Sequence, residues 1–140
     1  MTTCAFSLDG NLPELAKLAA EVESFGRQNA LAADSIFQLN LVLEELFTNA
    51  VRHGGCEGIA GAVRVTLQAH PAEIAIEYVD RGIPFDPAEA ASPDLSAPLA
   101  ARPAGGLGIY FVRQLAGKLE YRREAGFNKL TFRLEREPRP

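Results

Sequence analysis

Glu45, Asn49 and His53 recur every four positions, and Arg52 adjoins the last of them. On a helix, side chains four apart stand one turn above another. A carboxylate, a carboxamide and two basic groups on one stripe suit a phosphate and its metal ion. The amide oxygen of Asn49 fits Mg2+, a hard cation that takes oxygen ligands and keeps several waters. Glu45, one turn earlier, can orient or deprotonate a nucleophile beside that metal. Arg52 and His53 can face phosphate oxygens. Taken alone, the stripe describes a solvated helix face just as well.

Two further groups lie downstream. Asp80-Arg81-Gly82 follows an alternating apolar run, so an ionised carboxylate stands at the end of a strand. A carboxylate only accepts hydrogen bonds, which suits an exocyclic amino group. Gly82 can take a positive φ or admit a flat ligand close to the backbone. By itself the trio also reads as a strand end turning through Gly82 and Pro84. Gly105-Gly106-Leu107-Gly108 opens a helical pattern. Helix N-termini offer free N–H groups and a positive dipole end to an anion. No GxxxxGK[ST] pattern and no preceding parallel strand accompany these glycines, which argues against P-loop and Rossmann readings. Together the three groups converge on one ligand: a base with an amino group at Asp80, a metal at Asn49, and phosphates at Arg52 and Gly106 to Gly108. That ligand is an adenine nucleotide with Mg2+.

The elements that must position these groups follow from periodicity. Ile36, Leu39, Val42, Leu43, Leu46 and Ala50 recur at three- and four-residue steps, so Asp34 to Gly55 reads as an amphipathic helix. Asp34 is expected to cap its start and Gly54-Gly55 to end it. An earlier helix begins near Pro13 and runs to about Asn29, with Leu15, Leu18, Ala19, Val22 and Phe25 inward. Phe25 and Leu31 read as core, with a dimer interface as the alternative. Cys4 to Leu8 reads as a strand. Ala62 to Ala69 and Glu73 to Asp80 alternate and form an antiparallel hairpin. Asp86 to Ala104 lies in a Pro-, Ala- and Gly-rich stretch too long for an ordinary connection, the usual mark of a lid or binding loop. A third helix spans Gly106 to Ala116, and two last strands span Lys118 to Glu124 and Asn128 to Glu135. The order β-α-α-β-β-loop-α-β-β favours hairpins over a doubly wound sheet. The expected fold is an α+β, two-layer α/β sandwich, a mostly antiparallel sheet with its helices on one face.

The 140 residues suit a single domain spanning the chain, with one core. The formal net charge of −4 argues against direct, non-specific nucleic-acid binding. No apolar run reaches the roughly 18 residues of a membrane span, and the N-terminus does not read as a secretory signal. A cytoplasmic location is expected, with Cys4 and Cys56 as reduced thiols outside any metal-binding spacing.

Three ordered segments carry a resemblance. EELFTNAVRHG resembles the N box, DRGIPFD the first glycine box, and GGLGIYFVRQLAG the second glycine box of the GHKL (Bergerat-fold) ATP-binding proteins. Within that superfamily the chain is most similar to the bacterial anti-sigma-factor serine-protein kinases, through GIPFDP, the second glycine box and the KLEYRRE and NKLTF segments. Nothing in it resembles the phosphoacceptor helix of a sensor histidine kinase. The resemblance implies ATP and Mg2+ as cofactors. It places Mg2+ on Asn49 and assigns Glu45 to the attacking hydroxyl. It assigns Asp80 and Gly82 to adenine, and Arg52 and His53 to the phosphate region. Gly105, Gly106, Leu107 and Gly108 cradle the phosphates, Thr131 contacts the adenine side, and Asp86 to Ala104 form the lid. Relatives often carry a basic residue just before the second glycine box. Here Pro103-Ala104 stand there, and Arg102 is the nearest candidate. The implied activity is phosphorylation of a serine or threonine on an anti-anti-sigma (antagonist) protein, coupled to sequestration of a sigma factor, with a homodimer suggested. The alternative is an ATP-binding interaction switch of the same fold without kinase activity.

Overall fold

The computed structural model describes residues 3–87, 106–116 and 118–136. Strand β1 (Thr3–Leu8) leads through a 3-10 turn (Leu12–Glu14) into α1 (Leu15–Gln28) and α2 (Ala33–Arg52). Strands β2 (Val63–Ala69) and β3 (Glu73–Asp80), α3 (Gly106–Ala116), β4 (Glu120–Glu124) and β5 (Phe127–Glu135) complete the order. The five strands form one sheet in the order β1-β2-β3-β5-β4, antiparallel throughout.

Strand periodicity sends alternate residues to opposite faces. Val63, Val65 and Leu67, Ile74, Ile76 and Tyr78, and Leu130, Phe132 and Leu134 are all buried on one face. The helices cover that face, with α2 central between α1 and α3. Leu39, Val42, Leu43, Leu46, Phe47, Ala50 and Val51 of α2 are buried, while Ile36 is only half-buried, packed against Gly26 of α1. Burying a leucine or phenylalanine contributes about 1.5–3 kcal/mol. One face of α2 therefore suffices to dock it, and its other residues are free for polar work. Phe25 and Leu31 belong to the core. Arg136 ties the sheet to the helical layer by donating to the carbonyls of His70 (3.0 Å) and Asn29. Its own carbonyl accepts from the Ser35 hydroxyl.

Three local expectations change. Ala32, not Asp34, holds the extended N-cap position of α2, and no side chain caps it; Asp34 lies inside the first turn. There its charge still faces the positive end of the helix dipole. The helix ends at Arg52 with His53 as C-cap, and Gly55 takes the positive φ of 80° beyond it. Ala19 is exposed, and Gly26 takes a buried place on α1 because Ile36 fills the space a side chain would need.

Candidate functional site

Asp80 ends β3 in phase with Ile74, Ile76 and Tyr78, so its carboxylate points into the helix-covered layer, where it is 9% exposed. The antiparallel register sets it directly opposite Asn128 of β5. Asp80 Oδ1 accepts from the Gly82 backbone N–H (2.9 Å) and from Asn128 Nδ2 (2.9 Å). Among the described residues no donor reaches Oδ2. Burial pushes the Asp80 carboxyl above its ordinary value, against the pull of Asn128, the Gly82 N–H and the Arg123 guanidinium. Water has been traded for two fixed donors on one oxygen, and the second oxygen keeps its capacity to accept.

Asn128 holds more than Asp80. Its Nδ2 also donates to the Ile83 carbonyl (2.7 Å). Its Oδ1 accepts from the Tyr121 hydroxyl (2.6 Å), from Arg123 (3.2 Å) and from the Phe85 N–H (3.3 Å). Arg123 donates as well to the Gly82 carbonyl at 2.6 Å. One carboxamide thus fixes the segment Gly82 to Phe85 and the orientation of Asp80. Sequence reading passed over it, although a signal was present. Asn128 falls in phase with Leu130, Phe132 and Leu134, and a polar residue on the apolar phase of a strand asks for a partner.

The opposite wall is α2. Asn49, Leu46, Ala50 and Gly54 line one narrow cavity with Asp80, Asn128, Ile83, Phe85 and Ile109. The floor is closed by Tyr78, whose hydroxyl donates to the Leu46 carbonyl at 3.1 Å. Gly82 is required by close approach, without a positive φ. A Cβ there would stand 2.5 Å from the Gly54 carbonyl oxygen and 3.0 Å from Asp80 Oδ1. The Ile83 N–H donates to that same Gly54 carbonyl at 2.8 Å, fastening the strand end to the loop after α2. Cys56 is wholly buried in this loop, and burial together with the Asp80 charge pushes its thiol up to about 11. A neutral, inaccessible thiol does no nucleophilic work at neutral pH.

Glu45 is half-buried one turn before Asn49 and lies against α3 at Gly108. Burial, then the neighbouring Glu44 carboxylate, raises its proton affinity. Gly106, Leu107 and Gly108 form the first turn of α3. Arg52 and His53 are exposed at the end of α2 and do not line the cavity. Arg102 and Gly105, and the lid from residue 88 onward, lie outside the described residues. Thr131 does not join the site. It stands three residues from Asn128 on a strand of period two, so it points to the other face, exposed in a shallow depression with Thr66, Gln68, Glu77 and Arg133. Asn128, not Thr131, is the β5 side chain beside Asp80.

The residues fit a magnesium nucleotide. Among the described residues no group of three or more His, Cys, Asp or Glu side chains gathers to hold a metal alone. Mg2+ asks for less when phosphates bind it too, and then needs only one or two hard oxygen donors from the protein. Asn49 carries such an oxygen in its carboxamide and lines the cavity that holds Asp80.

A family model, the histidine kinase-like ATPase domain, matches residues 9–134. The serine/threonine-protein kinase BtrW of Bordetella bronchiseptica is 33% identical over 96 residues, 69% of this chain and 68% of the relative. The serine-protein kinase RsbW of Bacillus cereus is 25% identical over 115 residues, 79% of this chain and 71% of the relative. Among solved structures, the RsbU and RsbW domains of Rv1364c from Mycobacterium tuberculosis superpose with a TM-score of 0.68 at 15% identity. That match covers 99% of this chain but only 34% of the longer one. The catalytic domain of the histidine kinase ThkA matches with a TM-score of 0.52 at 18% identity, covering 99% of this chain and 100% of that one. At such identities the two structures speak for the α+β fold alone. Among the described residues no helix is long and apolar enough to cross a membrane.

Proposed function

The chain belongs to the histidine kinase-like ATPase domain family, and from that premise we propose that it is an ATP-dependent serine/threonine-protein kinase of the anti-sigma type. Its substrate is a hydroxyl of a small antagonist protein, and in its other partnership it sequesters a sigma factor. The reading is supported most by one observation: among the described residues no donor reaches the second carboxylate oxygen of Asp80, in the cavity that Asn49 also lines. An amino-bearing base and a metal-bound phosphate tail would be recognised there at once. The relatives named as serine kinases support the choice of acceptor.

Each residue then has a task. Asp80 Oδ2 accepts from the adenine amino group, while Asn128 and the Gly82 N–H hold Oδ1. Asn49 would hold Mg2+ through its amide oxygen. The backbone N–H groups at Gly106, Leu107 and Gly108 would face the phosphates, and only the family resemblance assigns Arg52, His53 and Arg102 to the phosphate region. Mg-ATP supplies the phosphoryl group. The substrate oxygen bonds to the γ-phosphorus as the bond to the ADP oxygen breaks, and Glu45 takes the hydroxyl proton. Phosphoryl transfer proceeds through a loose transition state, so positioning and electrostatics carry most of the work. A strong base is unnecessary. The raised proton affinity of Glu45 suits a group that orients the hydroxyl and accepts its proton late.

The test uses labelled ATP, Mg2+ and the antagonist protein as phosphate acceptor. Label is expected on a serine or threonine of the antagonist. Glu45→Ala is expected to retain nucleotide binding and lose transfer. Wild-type transfer by Glu45→Ala would remove Glu45 from the reaction. Nucleotide binding without any transfer by the unmutated chain would leave an ATP-dependent interaction switch in place of the kinase.

A further inference from the structure

Helices α2 and α3 pack together, and at one point the contact is made by a carboxylate. A Cβ on Gly108 would stand 1.9 Å from Glu45 Oε2, 2.6 Å from Glu45 Cδ and 3.3 Å from Glu45 Cγ. The end of the Glu45 side chain therefore rests on the bare Cα of Gly108. We propose that Gly108 is a positioning residue for phosphoryl transfer: its missing side chain is the seat that holds the Glu45 carboxylate in place. The inference rests on the reading of Glu45 as the group that handles the substrate hydroxyl.

The kind of obstruction sets Gly108 apart from Gly10 and Gly82, and its charge sets it apart from Gly26, where the obstacle is the apolar Ile36 side chain. At Gly10 an added Cβ would meet the Cys56 carbonyl oxygen at 1.7 Å, and at Gly82 it would meet the Gly54 carbonyl oxygen at 2.5 Å. Backbone cannot step aside, so those glycines serve the fold. At Gly108 the obstacle is the far end of a flexible side chain, which can swing away at little cost. Alanine is also the better helix former by about 1 kcal/mol. Fold stability gives little reason for glycine here, and the seat supplies one. Alanine would keep the Gly108 N–H, so any phosphate contact through that donor survives. What it removes is the place of the carboxylate, which must retreat by roughly 1 Å, a displacement that can cost about 100-fold in a positioned reaction. The raised proton affinity of Glu45 agrees with a carboxylate half-covered by α3.

The experiment compares the full chain with Gly108→Ala, alone and in the Glu45→Asp background, whose shorter carboxylate no longer reaches the seat. Thermal unfolding, nucleotide Kd, transfer rate to the antagonist, and the carboxyl titration of Glu45 by 13C NMR are measured. Gly108→Ala is expected to keep a cooperative transition near that of the parent and to lose about 100-fold in transfer, with far less change in Kd. It should also lower the Glu45 pKa as the carboxylate swings into water. Added to Glu45→Asp, it should cost less than about threefold in transfer, because the interaction it breaks is already gone. Transfer within threefold of the parent, an equal loss in both backgrounds, an unmoved Glu45 titration or a collapsed unfolding transition would each overturn the seat. If the unmutated chain transfers no phosphate, the kinase reading fails by itself, and the Glu45 titration still decides whether Gly108 seats the carboxylate.

Discussion

Replacing Asp80 by Asn separates binding from stability, because the site sets the two against each other. The substitution keeps size and shape. The Asn carbonyl oxygen can still accept from the Gly82 N–H and from Asn128 Nδ2, the two bonds that Asp80 Oδ1 receives. An NH2 group then replaces Oδ2, so a donor faces the adenine amino group, itself a donor. The loss is that of a hydrogen bond to a charged acceptor, about 1.5–3 kcal/mol, or roughly 10- to 150-fold in Kd. Stability should move the other way. Asp80 has its pKa raised in the folded state, chiefly by burial. Such a group contributes stability that is fully present below the unfolded pKa and is lost as pH rises through the folded one. Above its folded pKa the free protein therefore carries the cost of a buried charge, and Asp80→Asn removes it. The variant should be at least as stable as the parent near pH 7, and the gap should close on acidification through the folded pKa of Asp80. Binding by the parent should weaken over that same window, which begins above the ordinary aspartate range. With Oδ1 already receiving two donors, the proton must enter on Oδ2 and turn it away from the amino group. Calorimetric titration with ADP, paired with urea unfolding across pH, reads both quantities. Unchanged affinity in Asp80→Asn, or weakened binding with an equal loss of stability, would refute this reasoning.

Asn128→Ala should cost about 1–3 kcal/mol in urea unfolding, because Tyr121, Arg123 and the Phe85 N–H lose their shared acceptor. It should also weaken ADP binding through a freed Asp80; full affinity would show that Asp80 needs no such partner. Gly82→Ala should cost about 1–3 kcal/mol of stability by forcing a Cβ against the Gly54 carbonyl, with a lower thermal midpoint as the readout. Its contrast with Gly108→Ala, expected to spare the fold, is informative in itself. Glu45→Ala should leave ADP affinity close to that of the parent while transfer to the antagonist disappears; a parallel fall in both would assign Glu45 to nucleotide binding.

The layer structure was legible because the apolar residues keep strict periods. Val63-Val65-Leu67 and Ile74-Ile76-Tyr78 alternate, and the α2 stripe repeats at helical steps, so hairpin and helix follow from solvent exclusion alone. Asp80 was legible as a polar residue at the end of such an alternation. Thr131 was misplaced through the resemblance to a family position, when strand parity from Asn128 sets it on the opposite face. Asn128 shows in the sequence only as a polar residue on the apolar phase of its strand, and its partner becomes visible only when the pairing of β3 with β5 sets it across from Asp80. The N-cap of α2 escaped for a similar reason. Asp34 is a strong capping residue type, yet the chain leaves its extended conformation at Ala32, two positions earlier. The seat at Gly108 could not be read from sequence at all, since it depends on how closely α2 and α3 approach. Residue type shows what a side chain can do, and packing decides which neighbour receives it.

In the proposed kinase one cavity takes adenine at Asp80 and a metal-bound phosphate tail at Asn49. A crystal structure of the chain grown with Mg2+ and a non-hydrolysable ATP analogue tests it most directly. The adenine amino group is expected within hydrogen-bond distance of Asp80 Oδ2, Mg2+ on the Asn49 amide oxygen, and the phosphates against the first turn of α3. A nucleotide bound elsewhere, or one whose base leaves Asp80 Oδ2 without a donor, would contradict it.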